Sequence, residues 1–455
     1  MKTKEKYLQY PVKGILFFSI LILLAYNFVG CNASSDDERV IAPPDPNIET
    51  AISDYYPDSG GVATKLILHG TNFGTDTSYI KVYVNNKKAA IIGCDGEAIY
   101  AIVPSRADSG EVRVVIGKSA NIKEYIYPIK FKYFFKENVT TVCGQNGISG
   151  IEDGDVNTAT LRRPWNIAFD NDGTLFFLDE GRGISSDGGL RKYADGNVET
   201  IMRNSSGVLQ SPTGLVFNAT QDTLFMVQTI YSANNMTSTA SIAYLTRNEG
   251  FSVIKPYIKT ELTFRATGIA IHPKTGDIFF NSYVDGCIYK ANKATGTYEN
   301  ICQVNGTNNE LRMVFDPQGT YLYIMVKDKH CIYRAKYNST TRKVENPTVF
   351  AGQWNASGYL DGIGIAAKFN TPGQGTFDPD GNLYIPDKGN HCIRKITPEG
   401  VVTTFAGVGG TSGYKDGDPL ESLFKNPECI TYNPADDGWY VADRENSLIR
   451  KILVE

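Results

Sequence analysis

The sequence predicts an all-β protein of two domains, a small β-sandwich followed by a six-bladed β-propeller. Three observations carry that prediction. The 455 residues include 44 Gly and 27 Tyr with ordinary apolar content, the make-up of a turn-rich, strand-dominated globular chain rather than a disordered or polytopic one. Residues 48–135 read as short alternating strands separated by turn residues at regular intervals. From there to the end the chain repeats with a period of about 50 residues, and self-similarity in that range means a propeller or a solenoid.

The elements follow in chain order. Lys2, Lys4, Lys6 and Lys13 precede one long apolar run, Ile15 to Tyr26, which is the charge order of a secretory signal peptide. Its roughly 12 apolar residues fall short of the roughly 20 that span a bilayer. The run ends in Phe28-Val29-Gly30-Cys31. This resembles the lipobox of bacterial lipoproteins, although Phe28 stands where that motif usually has Leu. The resemblance implies that residues 1–30 are removed and that Cys31 carries a diacylglycerol. The acidic run Asn32 to Glu38 is similar to the signal that sends Bacteroidetes lipoproteins to the outer face of the outer membrane. Outer-membrane lipid, reached through Cys31, and an exterior location are therefore expected. Cleavage before Cys31 removes four lysines and Glu5 and moves the formal charge from −4 to −7. So acidic a chain, without a basic cluster, excludes a nucleic-acid partner.

Residues 31–47 form the tether, with Pro43, Pro44 and Pro46 favouring an extended spacer. In the sandwich of residues 48–135, the runs Lys65 to Gly70, Ile80 to Val84, Ile99 to Val103 and Glu111 to Ile116 alternate with period two. Tyr56-Pro57-Asp58-Ser59-Gly60-Gly61, Gly70-Thr71-Asn72-Phe73-Gly74 and Val103-Pro104 make this segment resemble an IPT/TIG domain. That resemblance implies an immunoglobulin-like spacer.

In the propeller, residues 136–455, the clearest unit runs from Phe369 to Gly407 and reads as four strands. Its first hairpin turns at Asp378-Pro379-Asp380-Gly381, where Asp and Gly accept the required backbone angles. Copies begin at Pro164 and Asn426, and weaker ones near Pro212, Thr267 and Leu311. Together these units resemble NHL repeats, giving a six-bladed NHL-type β-propeller. The last unit stops after its third strand at Leu453. Val139-Thr140-Thr141-Val142-Cys143-Gly144 matches the absent fourth, Val402 to Gly407, so residues 139–144 are expected to close the ring and hide its edges.

Cys287, Cys331 and Cys392 recur at one repeat position, which suits small buried hydrophobes better than disulfide partners. In a propeller, entry to each first strand and exit from each second strand share one face. That face presents Trp165, Arg182, Tyr231, Tyr283, Arg312, Lys388 and Arg444, along with Lys327 and Glu428. Rings and cations together suit a hydroxyl-rich or acidic polysaccharide or oligosaccharide. The Asp-Gly loops at Asp153, Asp361 and Asp416, with Trp354, Tyr359 and Tyr414, either border that face or close structural turns. Asp170-Asn171-Asp172 and Asp378-Pro379-Asp380 lack the spacing of a calcium cage. The four histidines, His69, His272, His330 and His391, make poor material for a metal site. No metal and no cofactor are therefore expected. The functional expectation is a nutrient-binding surface lipoprotein accessory to an outer-membrane uptake system and its proteins. A glycan lyase or hydrolase and a protein–protein scaffold are the alternatives.

Overall fold

A computed structural model describes residues 41–118, 122–135, 137–179, 188–203, 209, 211–229, 241–261, 264–304 and 306–454. Cys31, Arg182 and Tyr231 lie outside the described residues. All regular structure among the described residues is strand or short 3-10 turn.

The first domain is a sandwich of a four-stranded and a five-stranded sheet. Its alternating strands place Leu66, Leu68, Val82, Val84, Val112, Val114 and Phe131 in one buried core, as a period of two requires when one face of each sheet is covered. Gly70 and Phe73 explain each other. A Cβ on Gly70 would stand 2.1 Å from the Ala51 carbonyl oxygen and 2.4 Å from the Phe73 ring, so only glycine lets that ring reach the core.

The second region is a set of six antiparallel sheets. Their first strands are Pro164–Phe169, Pro212–Phe217, Ile269–Ile271, Leu311–Phe315, Thr376–Phe377 and Cys429–Asn433. We number the blades 1 to 6 in that order. Contacts between successive first strands mark them as the inner wall of the ring. The hairpin turns are built by their acids: Asp170 Oδ1 accepts from the backbone N–H of Asp172 and Thr174, and Asp378 Oδ1 from that of Asn382. Aromatic wedges fill the space between blades, as where Tyr384 and Phe405 of blade 5 meet Trp439 of blade 6 at 4.9 and 5.0 Å between centroids. The three repeat-position cysteines are buried and free.

Blade 6 takes its fourth strand from the start of the propeller. Glu137–Cys143 lies antiparallel to Leu448–Val454, with Val139 opposite Ile452 and Thr140 opposite Lys451. The loop before blade 6 adds a further pair of bonds, since Val139 and Gly417 exchange backbone N–H···O contacts of 2.7 and 2.9 Å.

A buried arginine holds three of the blades. In blade 5, Arg394 donates to Asp387 at the end of the second strand (2.9 Å) and to Asp361 in the preceding loop (2.5 Å). In blade 6, Arg450 bonds Asp443 (3.0 Å) and Asp416; in blade 1, Arg191 bonds Asp179 (2.8 Å) and Asp153 (3.0 Å). The loop aspartates also accept from fourth-strand threonines, Thr404, Thr141 and Thr200. Tyr359 and Tyr414 stack on the same arginines, at 4.9 and 5.0 Å from guanidinium carbon to centroid. The Asp-Gly loops thus run along the outer edge of the blades, where Gly362–Ile363 pairs with the fourth strand. In blade 4 the pair is replaced by Val326 and Tyr333, against which Trp354 packs.

Two histidines act as staples between blades. His330 and His391 hold φ of 60° and 58° before their third strands, and each Nδ1 accepts a backbone N–H from the entry to the next blade, Thr371 at 3.1 Å and Asn426 at 3.2 Å. Ser447 occupies the same place in blade 6 and donates to the Arg162 carbonyl (2.7 Å). Only a neutral imidazole can accept at Nδ1, and burial holds both histidines below the ordinary range. A group whose folded pKa is depressed stabilises the fold above its unfolded value and loses that contribution as pH falls. The thermal midpoint should therefore fall between about pH 7 and about pH 5, on either side of the free histidine value near 6.5. The double variant His330→Asn/His391→Asn, which keeps an acceptor and tolerates positive φ, should show a shallower decline. Equal acid sensitivity in both proteins would remove the histidines from this role.

Candidate functional site at the axis of the ring

Each first strand begins, and each second strand ends, at the same end of the ring. In blades 4, 5 and 6 the residue at the exit of the second strand is Lys327, Lys388 and Arg444. Blade 1 contributes Trp165 to the same place. Arg444 lies 4.9 Å from a Trp165 ring centroid, Lys327 5.1 Å, and Arg312 and Lys388 5.7 Å each. Four cations from three blades therefore surround one indole, each gaining from the ring's negative face.

Two carboxylates thread this cluster. Glu428, fully buried at the start of blade 6, has Lys327 Nζ 2.6 Å from Oε1 and Lys388 Nζ 2.7 Å from Oε2. Glu310, at the start of blade 4, meets Arg312 at 2.6 Å and Lys327 at 3.1 Å. Burial acts to raise the Glu428 pKa, but the adjacent Lys327 and Lys388 prevail and hold it well below the usual carboxylate range. Burial, against the pull of Glu428 and with the repulsion of Lys327 and Arg444, holds the Lys388 ammonium below the usual lysine range. Gly373 keeps the wall tight, since a Cβ there would stand 2.3 Å from the Glu428 carbonyl oxygen.

The structure thus brings Trp165, Arg312, Lys388 and Arg444 together but gives them different work. Trp165 and Arg312 are buried, at 3% and 1% exposure. Arg312 donates to the Thr213 carbonyl (2.8 Å) and to that of Thr267, tying blades 2, 3 and 4 at the axis. Lys388 and Arg444 keep 18% and 16% of their side chains open to solvent and are the members of the cluster that face outward. Tyr283, half-buried beyond the second strand of blade 3, is held through its backbone by Arg265 and Asn309. Glu310 escaped the sequence reading. Its signal was weak, because no equivalent acid precedes the other first strands except Glu428.

The far end of the channel is different. A cavity of about 510 Å³ extends from Asn166 to the hairpin turns and is lined by Gln374, Thr376, Thr431 and Asn433 among others. The sandwich meets the ring at that end: Arg106 pairs with Asp437 at 3.2 Å in the blade 6 hairpin and lies 5.1 Å over Trp439. The charged cluster therefore sits at the end of the ring away from this contact. Among the described residues no group of three or more His, Cys, Asp or Glu side chains is arranged to hold a metal ion. His69 pairs with Asp54, and His272 stacks on Tyr337 at 3.9 Å.

The family model for the IPT/TIG domain matches residues 51–133. An auxiliary nutrient binding protein from Bacteroides thetaiotaomicron VPI-5482, solved as a crystal structure, is 30% identical over 91% of this chain and 99% of its own, with a TM-score of 0.64. The chain belongs to that protein's family. Another auxiliary nutrient binding protein, from Bacteroides ovatus ATCC 8483, is 28% identical over 91% of this chain and 100% of its own, with a TM-score of 0.67. The human NHL repeat-containing protein 2 is 35% identical over 102 residues, 22% of this chain and only 14% of that protein's length. Its likeness is to a short part of this chain, whereas the Bacteroides likeness takes in sandwich and propeller together.

Proposed function

We propose that this protein is a lipid-anchored, nutrient-binding protein on the outer face of the outer membrane, which takes a polysaccharide or oligosaccharide at the charged end of its propeller beside an uptake system. The observation that carries the reading is the outward placement of Lys388 and Arg444 over Trp165, at the end of the ring away from the sandwich. A chain tethered through Cys31 and residues 31–47 would carry its sandwich nearer the membrane and offer that end to the medium. Charged donors on a rigid frame suit hydroxyl and carboxylate acceptors, and the named relatives from two Bacteroides species are nutrient binding proteins.

Native gels cast with single polysaccharides test the reading. Retarded migration of the mature chain, with the polymer recovered intact, is the expected result. Metal-dependent release of unsaturated or reducing ends would replace it with a lyase or hydrolase.

A further inference from the structure

The cluster at the ring axis carries more positive charge than its carboxylates balance. Arg312, Lys327, Lys388 and Arg444 converge on Trp165, and Glu310 and Glu428 lie among them. At the rim, Glu445 pairs with Arg444 and also lies 3.5 Å from Arg163. Over these six side chains, four cations meet two carboxylates. Unbalanced charge of this kind is costly in a low-dielectric site, and the cost falls when an anion completes the group. The surplus also has a direction. Glu428 is shared between Lys327 and Lys388, whereas Lys388 and Arg444 reach solvent. Arg444 bonds Glu445 through Nη1, one of the five N–H donors that a guanidinium carries.

From this we infer that the ligand is anionic, and that a carboxylate, sulfate or phosphate group on it is bound between Lys388 and Arg444, with Trp165 beneath as the positioning residue. The inference rests on the saccharide-binding reading and narrows it to acidic glycans. A planar guanidinium and a point-charge ammonium together accept either a flat carboxylate or a tetrahedral oxyanion.

The mature chain is titrated calorimetrically with polygalacturonate, chondroitin sulfate and neutral dextran. At least one acidic polymer should bind and dextran should not. Affinity should fall about tenfold or more between about 50 and about 300 mM NaCl, as a solvent-facing charge contact requires. Lys388→Met and Arg444→Met should each weaken binding about tenfold or more, the scale of a lost charge-assisted contact. Binding of dextran in preference to both acidic polymers leaves the saccharide reading standing and overturns the anion site. So does acidic binding that both variants retain. If no polymer binds, the saccharide reading fails, and inorganic sulfate decides the anion site on its own. A thermal midpoint raised by sulfate over chloride at equal ionic strength, in wild type but not in Lys388→Met, supports the site. No such rise overturns it.

Discussion

Arg394→Ala should destabilise the propeller by about 3–5 kcal/mol, because removing one partner of a buried pair leaves the other charge uncompensated. The stranded charge is Asp387, which is fully buried and has Arg394 as its cationic partner at 2.9 Å. The loss extends further, since Arg394 also bonds the carbonyls of Lys368 and Leu360 (3.1 and 3.0 Å) and holds the Asp361 loop to the blade. Guanidinium chloride unfolding of the protein measures it. The double change Arg394→Met/Asp387→Leu should recover a large part of the loss, because an apolar pair replaces a buried charge pair at little net cost. Blade 4 already has such an arrangement in Val326 and Tyr333. A loss below about 1 kcal/mol for the single variant, the value of an exposed pair, would refute the account.

Val139→Asp should be at least as damaging, at about 3 kcal/mol or more, since it places a carboxylate without a cation in an apolar site. Val139 is completely buried among Tyr384, Ile393, Trp439 and Ile452, where blades 5 and 6 meet the closing strand. The expected signature is local as well as global. Limited proteolysis should cut first in blade 6 and around residue 137, with blades 1 to 4 surviving longer. Uniform digestion, or a thermal midpoint unchanged from wild type, would show that the ring does not depend on this strand.

The sequence disclosed the fold to different depths. Period-two alternation and the hairpin signals at Asp170-Gly173 and Asp378-Gly381 were legible because each is a local requirement of the backbone. The match between Val139-Thr140-Thr141 and Val402-Thr403-Thr404 was legible because repeats carry their own reference. The arginine clamps were not extracted, although Asp387 to Arg394 and Asp443 to Arg450 share a spacing of seven residues. Their third member, Asp361 or Asp416, comes from a loop about 30 residues upstream, joined only by folding. The candidate site was half legible. Strand direction assigns Trp165, Arg312, Lys388 and Arg444 to one end, but the division into buried and outward-facing members depends on how closely the blades approach the axis. Arg312 reads as a surface cation in sequence and is a buried tie between carbonyls in the folded ring.

The clasp of blade 6 also dictates an order of events. Thr141 bonds Asp416, 275 residues later, and its neighbours pair with strand Leu448–Val454. During synthesis the closing strand emerges early and has no partner until nearly the whole chain has been made. Closing so long a loop costs little more in equilibrium entropy than closing one of half the length. It delays completion, because distant pairings form late in folding. Until then the strand Glu137–Cys143 has an open edge, and so does Leu448–Val454. The chain therefore spends its slowest folding step with two complementary edges exposed, which makes exchange of this strand between neighbouring molecules the characteristic error of its assembly.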